Sequence, residues 1–223
     1  MNSEIEDQIE RIQSLRVVKI EHFQYSKIAK IPFKVHAFVE TMNCRMIDFC
    51  ESINILLNNN HVVPSLSLIR GLFENISLIN IVSQSISNSV KEKKLVENID
   101  EIMTNLTFGT RYDDNNKAIN ILTQLKKLDR QFNGISNYYD AISEFVHPNW
   151  DGVQGSYSII DEKHRSTRIL NVINNNHEIY EGFENCFILC MSIFFDISSE
   201  IMNNLPDFAI ICEDNISNIN KSQ

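Results

Sequence analysis

The chain has 223 residues and a formal net charge of −9, from 20 Lys and Arg against 29 Asp and Glu. Its 6 Gly and 4 Pro are too few for a collagen-like or linker-rich chain and disfavour a turn-dense β-sandwich, and its 43% hydrophobic content excludes a disordered chain. We therefore expect an all-α fold, a single helical bundle of about seven helices over residues 1–213, with a flexible tail at 214–223.

Helical periodicity predicts four helices in the first half of the chain. An apolar stripe predicts a first helix over 4–29 and a second over 33–57. A third begins near Pro64 and is apolar on most sides, which is typical of a central helix. An amphipathic pattern predicts a fourth helix over 89–107.

The second half alternates helices with one irregular segment. A basic amphipathic helix is predicted over 117–131, and a shorter one, ISNYYDAISEFV, ends at His147. Breakers and β-favouring residues predict a short β-hairpin or an irregular excursion at 148–176. A long apolar helix follows over 177–204, and Pro206 is expected to start a short final turn or helix.

The cellular location of the protein is predicted from its hydropathy, its N-terminal sequence and its cysteines. No apolar run approaches the ~18 residues of a membrane span, and the acidic start, MNSEIEDQIERIQ, lacks the basic-then-apolar order of a signal peptide. Five Cys without CxxC spacing favour reduced thiols over disulfides or a zinc site. We expect a cytoplasmic protein that does not contact a membrane.

The strongest chemical signal is the segment YDAISEFVHPNWDG. On a helix, Tyr139, Ser143 and His147 share one face because they are four residues apart. Pro148 ends the helix after His147, where the negative end of the helix dipole favours the imidazolium form. That form suits phosphate binding or general-acid chemistry. The structural alternative is that His147 caps the helix or satisfies a buried carboxylate.

A second signal is the pair Arg70 and Glu74, one turn apart on the very apolar third helix. Charged groups on such a helix are either paired internally or face a site. In the functional interpretation they line a polar pocket with Ser143, Glu144 and His147, and Arg70 contacts a phosphate or carboxylate. In the structural one they pair with each other or bridge to another helix.

Basic residues flank the His147 segment on both sides. If they gather on one surface they form a local basic rim, which a chain of net charge −9 would need in order to bind nucleic acid. Otherwise they are solvated helix and hairpin faces. The residues are Lys117, Lys126, Lys127 and Arg130 before the segment and Lys163, Arg165 and Arg168 after it.

Trp150, the only Trp, is a further candidate. It either packs the 148–155 loop over the end of the His147 helix or stacks on a base.

The order RGLFE and then YDAISEFVHPNWDG resembles a bacterial helical family of unassigned function with Arg-x-x-x-Glu and Ser-Glu-x-x-His-Pro-Asn signatures. The pattern is similar to that of HEPN-like domains, a helical superfamily that binds nucleotides and RNA in bacterial toxin and defence systems. The helical layout around the motifs spans 60–210. The matched positions are Arg70, Glu74, Ser143, Glu144, His147, Pro148 and Asn149.

The resemblance implies an RNA- or nucleotide-binding protein of a bacterial defence or toxin–antitoxin system, which as an enzyme would be a metal-independent ribonuclease. Its catalytic residues would be Arg70, Glu74 and His147. Its binding residues would be Ser143, Glu144, Asn149, Trp150, Lys126, Lys127 and Arg130.

The chain departs from this superfamily in one respect. Ribonuclease members carry Arg-x(4–6)-His on a late helix, whereas no Arg or Lys lies four to seven residues before His147. The matching spacing, Arg16 to His22, falls on the first predicted helix. Arg70 would therefore have to supply the cation from another helix.

Two other interpretations stay open. In one, the polar residues are structural and the apolar helices at 66–82 and 183–201 make a homodimer, a non-catalytic interaction module. In the other, the same pocket serves an enzyme of a small phosphorylated metabolite. The sequence contains no GxxxxGK[ST], GxGxxG, HExxH or GxSxG, so we expect no metal and no cofactor. The expected partners are RNA or a nucleotide, a cognate protein and a second copy of the chain.

Overall fold

Helices make up most of the molecule, which is described here from a computed structural model. The structure describes residues 2–110, 112, 118–173 and 177–221. This architecture confirms the predicted all-α bundle with a short β-hairpin. In chain order the elements are α1 (Asn2–Leu15), α2 (Ile31–Asn58), α3 (Val62–Glu92), α4 (Ile99–Phe108), α5 (Ile121–Gln131), α6 (Ile135–Val146), a π-helical turn (Trp150–Gly155), β1 (Ser158–Asp161), β2 (Ser166–Ile169) and α7 (His177–Lys221).

The two most apolar helices, α3 and α7, form the centre of the core. They pack against each other, and α2, α5 and α6 pack against α3. Phe73 and Ile76 of α3, and Phe187 and Phe194 of α7, are at most 1% exposed. Each such burial contributes roughly 1.5–3 kcal/mol. The apolar surface from which the sequence predicted a homodimer is therefore largely covered within the chain itself.

The same two helices are long and apolar enough to cross a membrane by length and composition, α3 over its whole length and α7 over Gly182–Asn220. About half of the residues in their most apolar windows are buried. A buried core helix has the same length and composition, and these two helices contact each other in the core.

The first helix is shorter than predicted, since α1 ends at Leu15 and not near residue 29. In the segment that follows, several backbone N–H groups donate hydrogen bonds to side-chain oxygens. The N–H of Val17 donates to the Glu40 carboxylate over 3.0 Å, and the Ser26 hydroxyl accepts from the N–H groups of the second and third residues after it. Side-chain acceptors of this kind compete with the helical ladder.

Other helix boundaries also differ from the prediction, and α5 begins at Ile121 and not at residue 117. Residues 89–92 belong to α3, which ends at Glu92 and is followed by Lys93 in the left-handed conformation (φ +50°), and α4 begins only at Ile99. Pro206 lies inside α7 and starts no new element. Leu205 and Phe208, on either side of it, are fully buried, so packing keeps the helix continuous across the proline.

The helix α7 also runs through residues 214–221, which the sequence assigned to a flexible tail. The domain boundaries stay a prediction.

Candidate functional site

Arg70, Glu74 and Tyr139 form one hydrogen-bonded cluster where α3 meets α6; we call it the Arg70 cluster. The Nε of Arg70 donates to the Tyr139 hydroxyl over 2.9 Å, and that hydroxyl donates to Oε1 of Glu74 over 2.9 Å. Arg70 Nε lies 3.6 Å from the same Glu74 oxygen. The guanidinium carbon lies 5.1 Å from the centroid of the Tyr139 ring, within cation–π range. The cluster ties the charged pair of α3 to α6.

Burial dominates the electrostatics of this cluster. Tyr139 is only 5% exposed, and burial raises the pKa of its hydroxyl above the usual value, with Arg70 opposing the rise and Glu74 adding to it. The side chains of Arg70 and Glu74 are 27% and 35% exposed. Tyr139 is the member that the sequence did not assign to the site, although its four-residue spacing to Ser143 indicated the shared helix face.

His147 lies at the C-terminal end of α6 and is exposed. Its backbone N–H donates to the Ser143 carbonyl over 2.9 Å, which caps the helix. Within the described part of the chain, its imidazole forms no hydrogen bond or ion pair. The Cα atoms of Tyr139 and His147 are about 12 Å apart along the helix axis, at 1.5 Å per residue. The structure therefore joins Arg70 and Glu74 but does not bring the His147 imidazole into contact with them.

The other polar residues of the His-Pro-Asn segment build the turn after α6. The backbone N–H of Asn149 donates to the His147 carbonyl over 2.8 Å. Its side-chain amide donates to the Glu144 carboxylate, and its side-chain oxygen accepts from Gly152 N–H over 3.0 Å. A Cβ atom on Gly152 would overlap the His147 carbonyl oxygen, so only glycine fits there. Glu144 and Asn149 of this signature therefore have a local structural role.

Ser143 and Trp150 also have local contacts. The Ser143 hydroxyl donates to the backbone carbonyl of Tyr139 over 2.8 Å, inside α6. The Trp150 indole lies against the backbone of Gly155, where an added Cβ would be 3.1 Å from Nε1. Trp150 is nevertheless 55% exposed. It packs on the π-helical turn and keeps a free surface.

A second polar site lies between α3, α5 and α7; we call it the polar groove. It has a volume of about 540 Å³. On its α7 side, the Glu200 carboxylate accepts from the hydroxyls of Ser83 over 2.6 Å and Ser87 over 2.7 Å. Across it, the amide of Gln84 donates to that of Gln131 over 3.2 Å. The lining residues are Ser83, Gln84, Ser87, Asn88, Lys127, Arg130, Gln131 and Glu200.

Two of the predicted binding cations, Lys127 and Arg130, line this groove. Both are exposed, and neither forms an ion pair or a hydrogen bond with a described residue. Lys126 is also exposed on α5 but does not line the groove. Lys117 lies outside the described residues. The hairpin cations of the predicted rim, Lys163, Arg165 and Arg168, do not line it either.

Sequence reasoning missed the α3 and α7 side of the groove. Ser83 and Ser87 are one turn apart on an apolar helix, a spacing that indicates a polar stripe, but Glu200 comes from a distant part of the chain. Arg70 and Ser83 are about 20 Å apart along α3, at 1.5 Å per residue. The predicted catalytic pair and the groove cations are therefore separate sites.

In the described part of the chain, no three His, Cys, Asp or Glu side chains come together as a metal site. Comparison with models of protein families, with curated proteins and with solved structures finds no match to the chain.

Proposed function

We propose that the protein is an HEPN-like RNA- or nucleotide-binding protein that holds its ligand in the polar groove. The observation that supports this is the pair of exposed cations, Lys127 and Arg130, which form no ion pair with a described residue and line one groove in a chain of net charge −9. Unpaired cations at a concave polar surface attract phosphate. A volume of about 540 Å³ suits a small ligand such as a nucleotide.

The charges on the two sides of the groove also favour one orientation of the ligand. The Glu200 carboxylate on the α7 side repels phosphate, whereas Lys127 and Arg130 on α5 attract it. In this proposal the phosphate therefore lies along α5. The amides of Gln84 and Asn88 then face the rest of the ligand, and amides offer both donors and acceptors to base edges.

The test compares two double variants of equal charge change. Binding of a fluorescein-labelled single-stranded RNA is measured by anisotropy across a salt series. K127Q/R130Q should weaken binding and lower the slope of log affinity against log salt by about 1.4, from two lost phosphate contacts at about 0.7 each. The matched control, K163Q/R168Q on the hairpin, should bind as the wild type does. Equal affinity of wild type and K127Q/R130Q would exclude the groove.

The cleaving form of this proposal, a ribonuclease of a cytoplasmic bacterial defence or toxin–antitoxin system, depends on the resemblance at Arg70, Glu74 and His147. Its structural support is the contact of Arg70 with Glu74. Arg70→Ala and His147→Ala should each abolish cleavage on a panel of RNAs. If wild-type cleavage is seen and neither substitution changes it, these residues are not catalytic.

A second candidate function is a non-catalytic dimeric interaction module, and the hairpin favours it. Ile160 and Ile169 lie on the same face of the β1–β2 pair and are 52% and 74% exposed. A two-stranded hairpin is marginal in water by itself, so an apolar face on one is well suited to a second copy of the chain. Light scattering across concentrations should show a dimer that I160S/I169S dissociates. A monomer at every concentration would exclude this function.

A further inference from the structure

An apolar cavity of about 700 Å³ lies between the segment 16–30, the first half of α2 and the end of α4. It shares no residue with the polar groove or the Arg70 cluster. Its volume falls within the range of about 300–1,000 Å³ typical of small-molecule sites. Its apolar lining includes Phe23, Ile28, Phe33, Phe38, Met103 and Phe108.

The fold of the segment after α1 creates this cavity. Because α1 stops at Leu15, the chain turns back along α2, and the Ser26 hydroxyl fixes the turn by accepting from Ile28 N–H over 3.1 Å and from Ala29 N–H over 2.8 Å. The ring of His22 lies edge-on to Phe33, with centroids 4.3 Å apart. The turn therefore places one wall of the cavity opposite α2 and α4.

Two aromatic side chains in the lining stay in solvent. Phe23 is 70% exposed and Phe108 is 64% exposed. An exposed apolar group in a concave apolar site gains free energy when a ligand covers it, at roughly 25 cal/mol per Å². The cavity therefore favours a ligand with an apolar body.

The charged residues of the lining all have one sign. Among the described residues that line the cavity, three are Lys and none is Asp or Glu, although acids outnumber bases in the chain by 29 to 20. Lys34 is paired with Asp100. Lys27 and Lys30 form no ion pair with any described residue, and both are exposed. They are therefore free to contact an anion.

We infer that this cavity binds a small amphipathic anion. The apolar body lies among the phenylalanines and Met103, and a carboxylate, sulfonate or phosphate head contacts Lys27 and Lys30. Water-exposed ammonium groups contribute selectivity for the charged head, while apolar burial contributes most of the affinity. The inference does not rest on the groove cations or on the proposed RNA binding.

The first experiment uses two probes that share an aromatic body. 8-Anilinonaphthalene-1-sulfonate carries an anionic head, and N-phenyl-1-naphthylamine is its uncharged counterpart. Both are titrated by fluorescence against wild type, K27Q/K30Q and the control K91Q/K94Q, which removes two exposed lysines at the end of α3. We expect one sulfonate probe per chain, about tenfold weaker binding of it in K27Q/K30Q, and little change for the uncharged probe or in the control.

A second variant tests the cavity itself. Ala37 of α2 lines it and is partly exposed, so Ala37→Phe fills space without disturbing the fully buried core. Both probes should then bind more weakly while the unfolding midpoint stays near that of wild type. If A37F does not fold, the binding of the two probes to K27Q/K30Q alone tests the inference.

Three results would overturn the inference. The first is equal affinity of wild type and K27Q/K30Q for the sulfonate probe. The second is an equal loss in K91Q/K94Q, which would indicate a general charge effect. The third is binding to phosphatidylglycerol vesicles without binding of either soluble probe, which would indicate a membrane surface instead of a small-molecule site.

Discussion

The hydroxyl of Tyr139 donates a 2.9 Å hydrogen bond to the carboxylate of Glu74. The Tyr139 hydroxyl oxygen also accepts a hydrogen bond from Arg70. One neutral group therefore holds both charged residues of α3 against α6. Arg70 and Glu74 thereby stabilise the contact of the two helices that carry the predicted signature residues.

Tyr139→Phe should lower the free energy of unfolding by about 1–2 kcal/mol, because it removes two hydrogen bonds to charged partners that stay partly hydrated. The measurement is the urea midpoint. Tyr138→Phe is the matched control, since Tyr138 is 41% exposed on the same helix and its substitution should change the free energy of unfolding by less than about 0.5 kcal/mol. Equal effects of the two substitutions would show that the Tyr139 hydroxyl does not stabilise the interface.

Gly152→Ala should be strongly destabilising, because its Cβ would overlap the His147 carbonyl oxygen and lie 2.6 Å from that of Phe145. Relief requires backbone movement at the end of α6, at a cost of about 2–3 kcal/mol. Gly182→Ala is the control: nothing lies within 4 Å of a Cβ there, and alanine in α7 should stabilise by about 0.5–1 kcal/mol. Thermal unfolding of both variants measures the difference. A stable G152A would contradict the packing of the turn.

We expect His36 to make the free energy of unfolding depend on pH. It is 1% exposed, its Nδ1 lies 3.2 Å from the Tyr25 hydroxyl, and its Nε2 lies 3.9 Å from Glu40 without a hydrogen-bond partner in the described structure. Burial lowers the pKa of the imidazole, and the nearby Glu40 carboxylate opposes that change.

Because the folded-state pKa of His36 lies below the unfolded value of about 6.5, the unfolded chain binds more protons between the two values. The contribution of His36 is therefore fully present above about pH 6.5 and declines as pH falls toward the folded-state pKa. Urea midpoints at pH 7.5 and pH 5.5 should differ less in H36Q than in wild type, and the exposed-site control H61Q should keep the wild-type difference. An unchanged difference in H36Q would assign the pH dependence to other groups.

The cysteines should differ sharply in reactivity. Burial raises the pKa of Cys50 and Cys212 to about 12 and that of Cys186 to about 11, and it raises the pKa of Cys190 as well. Cys44 is exposed. Since the thiolate is the nucleophile, iodoacetamide should modify one thiol of the native chain and all five after denaturation, as counted by mass spectrometry. Fast modification of two or more native thiols would contradict the buried assignment.

Local sequence patterns determined much of this protein. Apolar periodicity predicted α2 and α6 within a few residues and the start and central position of α3, and the proline after His147 predicted the end of α6. The four-residue spacing of Arg70 and Glu74 predicted that they could pair, and the amphipathic pattern of α5 placed Lys127 and Arg130 on its exposed side. These features depend on neighbours within one or two turns, so the sequence contains what decides them.

Only the tertiary structure decided the features that depend on contacts between different helices. The end of α1 at Leu15 depends on Glu40 of α2, the polar groove depends on Glu200 of α7, and the Arg70 cluster depends on Tyr139 of α6. The tertiary structure also leaves His147 exposed to solvent and without a contact to Arg70. Each of these outcomes comes from packing between segments far apart in the chain, and helical periodicity specifies which face of a helix is buried but not which partner covers it.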